Sequence, residues 1–161
     1  MVALKTDRTG SSAPTQRPWS ASIAAMDRAI AAGNATAAVR AWREAYAAAL
    51  DDPGWAGLLE VAAACRRIGT IAGFAKTSDA RARETYWTAL FRARRQGSLN
   101  GVLQAAEAFG ALGDRGMVEQ CIHVAERLAA LNGDGNATQH VRALATSLME
   151  RYVQADRNGN A

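Results

Sequence analysis

Gly33-Asn34-Ala35-Thr36-Ala37-Ala38-Val39-Arg40-Ala41-Trp42-Arg43-Glu44-Ala45-Tyr46-Ala47-Ala48-Ala49-Leu50-Asp51-Asp52-Pro53 is the stretch that decides the fold. Gly33-Asn34 stops one helix, a second runs from Thr36 to Leu50, and Pro53 occupies the tolerated first position of a third. Residues three and four apart share a helix face, so Val39, Trp42, Tyr46 and Ala49 form one apolar stripe. Trp42 and Tyr86 read as packing residues, whereas Trp19, Trp55 and Trp87 are left open. The composition extends this reading to the whole chain. Of 161 residues, 38 are alanine and only 10 are aromatic, which favours helices over strands. The fold class expected is all-α, in one domain long enough to bury a core without staples.

Working outward, the punctuation is regular. A first helix is expected from Ser20, as N-cap, to Ala32. The third opens at Asp52-Pro53 and stops at Gly69, and Thr70 to Thr77 form a linker or short extra turn. A fourth begins after Ser78, read as its N-cap, and ends at Gln96. Ser98 caps a fifth that ends at Gly113, a sixth spans about Gly116 to Leu131, and a seventh runs from about Thr138 to Asp156. Residues 1–18 have the composition of a disordered arm, 19–156 form the helical domain, and 157–161 are a polar tail.

The chain also resembles itself. A shift of 44 residues superposes Ala38–Gly69 on Ala82–Gly113, pairing Gly57 with Gly101, Leu59 with Leu103 and Gly69 with Gly113. A second echo sets Gly33-Asn-Ala-Thr-x-x-Val-Arg-Ala against the same pattern from Gly135, making the seventh helix a copy of the second. Helical units that cannot bury their apolar faces alone stack into a solenoid. Gly33-Asn34, Ala38, Val39, Trp42, Ala45 and Tyr46, followed by Asp52-Pro53, resemble the second half of a tetratricopeptide repeat. Ala82, Tyr86, Ala89 and Leu90 repeat that seam, as do Val118, Ile122 and Ala125 after Gly113-Asp114. Leu58, Val61, Ala62 and Cys65, then Val102, Ala105, Ala106 and Phe109, supply the first helices. The first helix fits poorly, and an insertion near residues 70–78 interrupts the second pair. The resemblance covers about residues 20–131. It implies an antiparallel helical-hairpin solenoid of three pairs, with the seventh helix as a cap.

Chemistry-bearing motifs are scarce. Cys121 and His123, two apart, cannot face one metal ion, and Cys65 and Cys121 read as small buried hydrophobes. No Gly-x-Ser-x-Gly signature occurs. Gly69 to Thr77 fails as a phosphate loop because Ala75 precedes Lys76. Asn132 to Asn136 fails as a calcium loop because Ala143 stands where a bidentate Glu belongs. The expectation is therefore no catalytic residue, no metal and no cofactor. Neither a signal peptide nor a membrane anchor is expected, and a reducing cytoplasm suits the cysteines.

The net charge of +4 comes from 17 arginines and two lysines against 15 acids. Arg81, Thr85, Thr88, Arg92 and Arg95 fall on one stripe of the fourth helix. Arg81, Arg92 and Arg95 form a secondary basic patch, read first as solvated surface, then as a site for an acidic protein, and last as one for nucleic acid.

The resemblance also implies a concave groove lined by the first helix of each pair. Its positions here are Ile23, Asp27 and Ile30, then Leu59, Glu60, Ala63, Arg66 and Arg67, then Asn100, Leu103, Gln104 and Glu107. Ile30, Leu59 and Leu103 would be apolar anchors, with Arg66 and Arg67 as anion contacts. Ser20, Ile23 and Asp27 stand where chaperone-binding members carry a carboxylate clamp, so that ligand is not expected. The function expected is a non-enzymatic adaptor or scaffold that binds a peptide or partner helix, acidic ones included, in the groove. Self-association is a further possibility, and the alternative is an arginine-mediated nucleic-acid-binding or regulatory protein.

Overall fold

Residues 16–159 are described by a computed structural model, in which the alanine-rich segments form seven helices and, among the described residues, no strand. They are α1 (Ser20–Ala31), α2 (Ala35–Asp51), α3 (Ala56–Ile68), α4 (Ala75–Arg95), α5 (Leu99–Ala111), α6 (Arg115–Asn132) and α7 (Gly135–Gly159). Residues 1–15 of the expected arm and the last two of the expected tail lie outside the described residues.

One turn design recurs. Gly33, Gly97 and Gly113 have φ of 67°, 63° and 71°, the left-handed region that glycine enters without a Cβ clash. The next residue in each case, Asn34, Ser98 or Asp114, donates its N–H back to the carbonyl of Ala29, Ala93 or Phe109. Its side-chain oxygen then accepts from the N–H of Ala37, Gly101 or Met117, so one residue closes a helix and caps the next. The fourth such turn places Gly133 at φ 65°, and Asp134 Oδ1 accepts from Asn136 and Ala137 at 2.9 and 3.3 Å. The second sequence echo is thereby displaced: Asn34 caps α2, whereas Asn136 lies inside α7.

Each helix packs against its successor, and α1 also touches α3, α3 touches α5, and α5 touches α7. The expected seams are buried: Ala82, Tyr86, Ala89 and Leu90 on α4, Val118, Ile122 and Ala125 on α6, and the apolar sets of α3 and α5. Trp42 is also buried, and its Nε1 donates to the Val61 carbonyl at 2.8 Å.

The paired glycines of the sequence repeat have a structural role. Trp19, immediately before α1, lies on Gly57, where an added Cβ would sit 2.6 Å from the indole. Trp55, immediately before α3, lies on Gly101, where a Cβ would meet the indole and the Ala93 methyl, each at 2.7 Å. Trp19 Nε1 also donates to Glu60 Oε2 at 2.8 Å, and Arg17 donates to the same oxygen at 2.6 Å.

Several boundaries differ from expectation for physical reasons. Trp19, not Ser20, precedes α1, because the indole is held against α3. α3 opens at Ala56 rather than Pro53; Asp52 turns back to accept from the Gly54 N–H at 2.7 Å. α4 begins at Ala75, and Ser78 is a buried residue inside it whose hydroxyl donates to the Phe74 carbonyl, not an N-cap. The turn glycine of this longer connection is Gly73, at φ 86°. α7 continues to Gly159, past the expected end at Asp156.

Gly57→Ala and Gly101→Ala are each expected to destabilise the protein by ~1–3 kcal/mol in urea denaturation through overpacking. Gly116→Ala, where a Cβ meets nothing within 4 Å, is expected to stabilise α6 by up to ~1 kcal/mol.

Candidate functional site

The expected groove residues do not form an open apolar cleft. Leu59 and Leu103 are only 9% and 6% exposed, because α3 and α5 each meet four other helices and keep only a narrow free strip. They belong to the core, and their role as exposed anchors is corrected accordingly. Ile23 and Ile30 are half-buried against the same core. The accessible remainder is polar: Asp27, Ala63, Arg67, Asn100, Gln104 and Glu107 are exposed, with Glu60 and Arg66 partly so.

Its charges are largely engaged within the molecule. Arg67 forms a bidentate pair with Asp27 at 2.8 and 3.0 Å. Arg66 donates to Asp79 Oδ1 and to the Ala111 carbonyl at the end of α5, both at 3.1 Å. Glu60 holds Arg17 and Trp19. Both members of the Arg67–Asp27 pair are nearly half exposed, so it contributes at most ~1 kcal/mol. Still, a ligand anion would have to displace a carboxylate already in place.

The expected basic stripe of α4 is also divided by the packing. Thr85 is buried and donates to the Arg81 carbonyl. Arg92 turns toward the end of α2 and donates to the carbonyls of Ala49, Leu50, Asp52 and Gly54, while Gln96 donates to that of Pro53. Ala49 and Leu50 are in the last turn of α2, whose carbonyls a helix end leaves unpaired, and Asp52, Pro53 and Gly54 follow in the turn, so Arg92 is a structural clasp. Arg81 pairs with Glu84 at 3.3 Å, and Arg95 lies 5.9 Å from the Phe91 ring centroid.

Two surfaces not foreseen from the sequence carry more binding potential. On the first, Trp87 and Phe91 stand one turn apart on α4 at 46% and 60% exposure, beside a shallow recess completed by Arg94 and, from α6, Gln120 and Val124. Trp87 leans on the core through an edge contact with Phe109 at 6.1 Å, so the indole is anchored on one side and open on the other. The signal was present as two aromatics four apart, but periodicity gives no warning that a face will stay uncovered. The second surface is a hollow of about 370 Å³ between α2 and the start of α4, walled by Val39, Trp42, Tyr46, Ile68 and Phe74. Arg43, Thr77 and Arg81 stand at its rim, and Cys65 contributes to the lining.

Burial raises the Cys65 thiol to about 11, with Arg81 opposing and Asp79 adding to the rise. Burial likewise raises Cys121 to about 12. Neither is an activated nucleophile. Among the described residues no cluster of three His, Cys, Asp or Glu side chains could hold a metal ion, and no helix is long and apolar enough to cross a membrane. No family model matches the chain, and no curated protein matches it.

Arg92→Ala is expected to cost about 2 kcal/mol in urea denaturation, as several carbonyls lose a charged donor, whereas Arg95→Ala stays within about 0.5 kcal/mol. Burial keeps both thiols protonated at pH 8, so a disulfide reagent should label the fully buried Cys121 only as fast as the protein opens. Labelling should therefore accelerate in parallel with urea unfolding.

Proposed function

We propose that the protein is a non-enzymatic adaptor: a stack of tetratricopeptide-like helical hairpins that docks an acidic amphipathic helix of a partner protein. The stacking is supported by the succession of neighbour contacts, the added contacts among α1, α3, α5 and α7, and the recurrent glycine-and-cap turn. In a repeated hairpin, first helices adjoin one another on one side, and this contact pattern is what such a stack requires.

The observation that carries the docking reading is the exposed Trp87–Phe91 pair. An uncovered tryptophan and phenylalanine beside arginine form the composition that dominates interface energetics. Arg94 forms no ion pair among the described residues, and Arg95 stacks near Phe91 rather than on a carboxylate. The patch therefore offers apolar anchors flanked by free positive charge, complementary to a helix with leucines on one face and glutamates beside them. This moves the docking face from the polar strip of α1, α3 and α5 to α4 and α6.

A fluorescein-labelled synthetic helix, with leucines at i, i+3, i+4 and i+7 and glutamates elsewhere, should bind the full chain in an anisotropy titration. Phe91→Ala/Arg94→Glu, both at exposed positions, should weaken it by about tenfold or more, while Gln104→Ala/Glu107→Lys on the opposite strip leaves it unchanged. Loss of binding in the second variant alone would return the site to the groove expected from sequence. Absence of binding by the unmodified protein would remove this docking chemistry altogether.

A further inference from the structure

We propose that the hollow between α2 and the start of α4 is a binding site for a small amphipathic carboxylate: an unbranched or aromatic apolar body ending in a single anionic group. The site lies on a different face from the Trp87–Phe91 patch and does not depend on the docking reading.

The walls select the apolar body. Trp42 and Tyr46 stack at 5.2 Å with their planes 15° apart, presenting ring carbon beside Val39, Ile68 and Phe74. Three of the polar side chains around this space are occupied elsewhere, which leaves the Tyr46 and Thr77 hydroxyls as its few polar groups besides the arginines. Trp42 Nε1 donates to the Val61 carbonyl, the Ser78 hydroxyl donates to the Phe74 carbonyl, and the Cys65 thiol points to the Ser78 carbonyl at 3.7 Å. A sugar or a nucleobase entering here would lose its hydrogen bonds to water and find few in return, whereas a hydrocarbon chain loses nothing. The volume of about 370 Å³ lies within the range of small-molecule sites.

The rim selects the charge. Arg43 and Arg81 stand at the mouth, and a second recess that shares Val39, Arg43 and Phe74 with the hollow is bordered by Arg40. No acidic residue lines either chamber. Arg40 and Arg43 form no ion pair among the described residues. Arg81 reaches only Glu84 at 3.3 Å, with both side chains more than half exposed, a pairing easily exchanged for a ligand. A guanidinium presents the paired N–H donors that match a carboxylate, and it does so here at the edge of an apolar chamber, where a head group and its tail would part. A peptide strand fits this space poorly, because helices surround it and their main-chain groups are already paired.

The test is calorimetric titration of the full chain with decanoate, below its micellar concentration, and with 1-decanol, which has the same chain and no charge. Decanoate should bind at one site, and decanol more weakly. Arg43→Gln/Arg81→Gln should reduce decanoate affinity about tenfold or more and leave decanol unchanged. Thr77→Trp, at an exposed position on the rim, should block both ligands. Circular dichroism and the melting temperature establish that each variant is folded, and decanoate should raise the melting temperature of the unmodified protein but not of Thr77→Trp. Failure of decanoate to bind, equal binding to Arg43→Gln/Arg81→Gln, decanol binding as tightly as decanoate, or undiminished binding to Thr77→Trp would each overturn the assignment.

Discussion

Close approach of helix backbones is the constraint on which this structure depends. The chain has few large side chains with which to fill space between helices, so the helices must come close, and the residues at their contacts must be small. Ala38, Ala45, Ala62, Ala82, Ala89 and Ala106 are all fully or almost fully buried at such contacts. At two points the requirement is stricter, because an indole lies directly over a helix where even a methyl group does not fit. Trp19 on Gly57 and Trp55 on Gly101 each bind the residue before one odd-numbered helix to the start of the next odd-numbered helix. The repeated turn supplies the other half of the design: a left-handed glycine followed by a side-chain cap fixes where one helix ends and the next begins, so the glycines and tryptophans meet in register.

Long-range electrostatics then take up much of the arginine excess. Arg92 reaches about forty residues back along the chain to hold the end of α2, Arg66 reaches forward to the end of α5, and Arg67 reaches back to Asp27 on α1. Such partners account for arginines that would otherwise suggest a nucleic-acid surface. Those left near apolar surface are few and localised: Arg94 beside Trp87 and Phe91, and Arg40 and Arg43 beside the hollow of Trp42 and Tyr46. At these two places positive charge stands beside apolar side chains, the pairing that an amphipathic anion would match.

What the sequence disclosed follows from the range of the forces involved. Helices, turn glycines and the Ser98 cap are local matters, settled within four residues, and they were legible. The core seams of α3 to α6 were legible for the same reason, since periodicity marks a buried face directly. Leu59 and Leu103 were misplaced because their side of the helix was inferred from groove positions in a repeat, while burial depends on how many neighbours a helix acquires. Ser78 and Pro53 look like helix starts in isolation, but packing of Ser78 and the Asp52 turn override them. Gly57 and Gly101 pair in the sequence repeat, yet nothing local indicates that a tryptophan lies on each. The exposed Trp87–Phe91 face and the hollow are invisible in the sequence because an uncovered face and an unfilled space are properties of the assembled chain.

The seating of tryptophan on glycine can be tested directly by proton NMR of the full chain. If Trp19 and Trp55 lie over Gly57 and Gly101, the α-protons of those two glycines will be shifted strongly upfield by the indole ring currents. They will show nuclear Overhauser contacts to the Trp19 and Trp55 ring protons, respectively, and the shift at Gly57 will vanish in Trp19→Leu. Gly57 and Gly101 α-protons at ordinary helical positions, with no contact to either indole, would contradict the account.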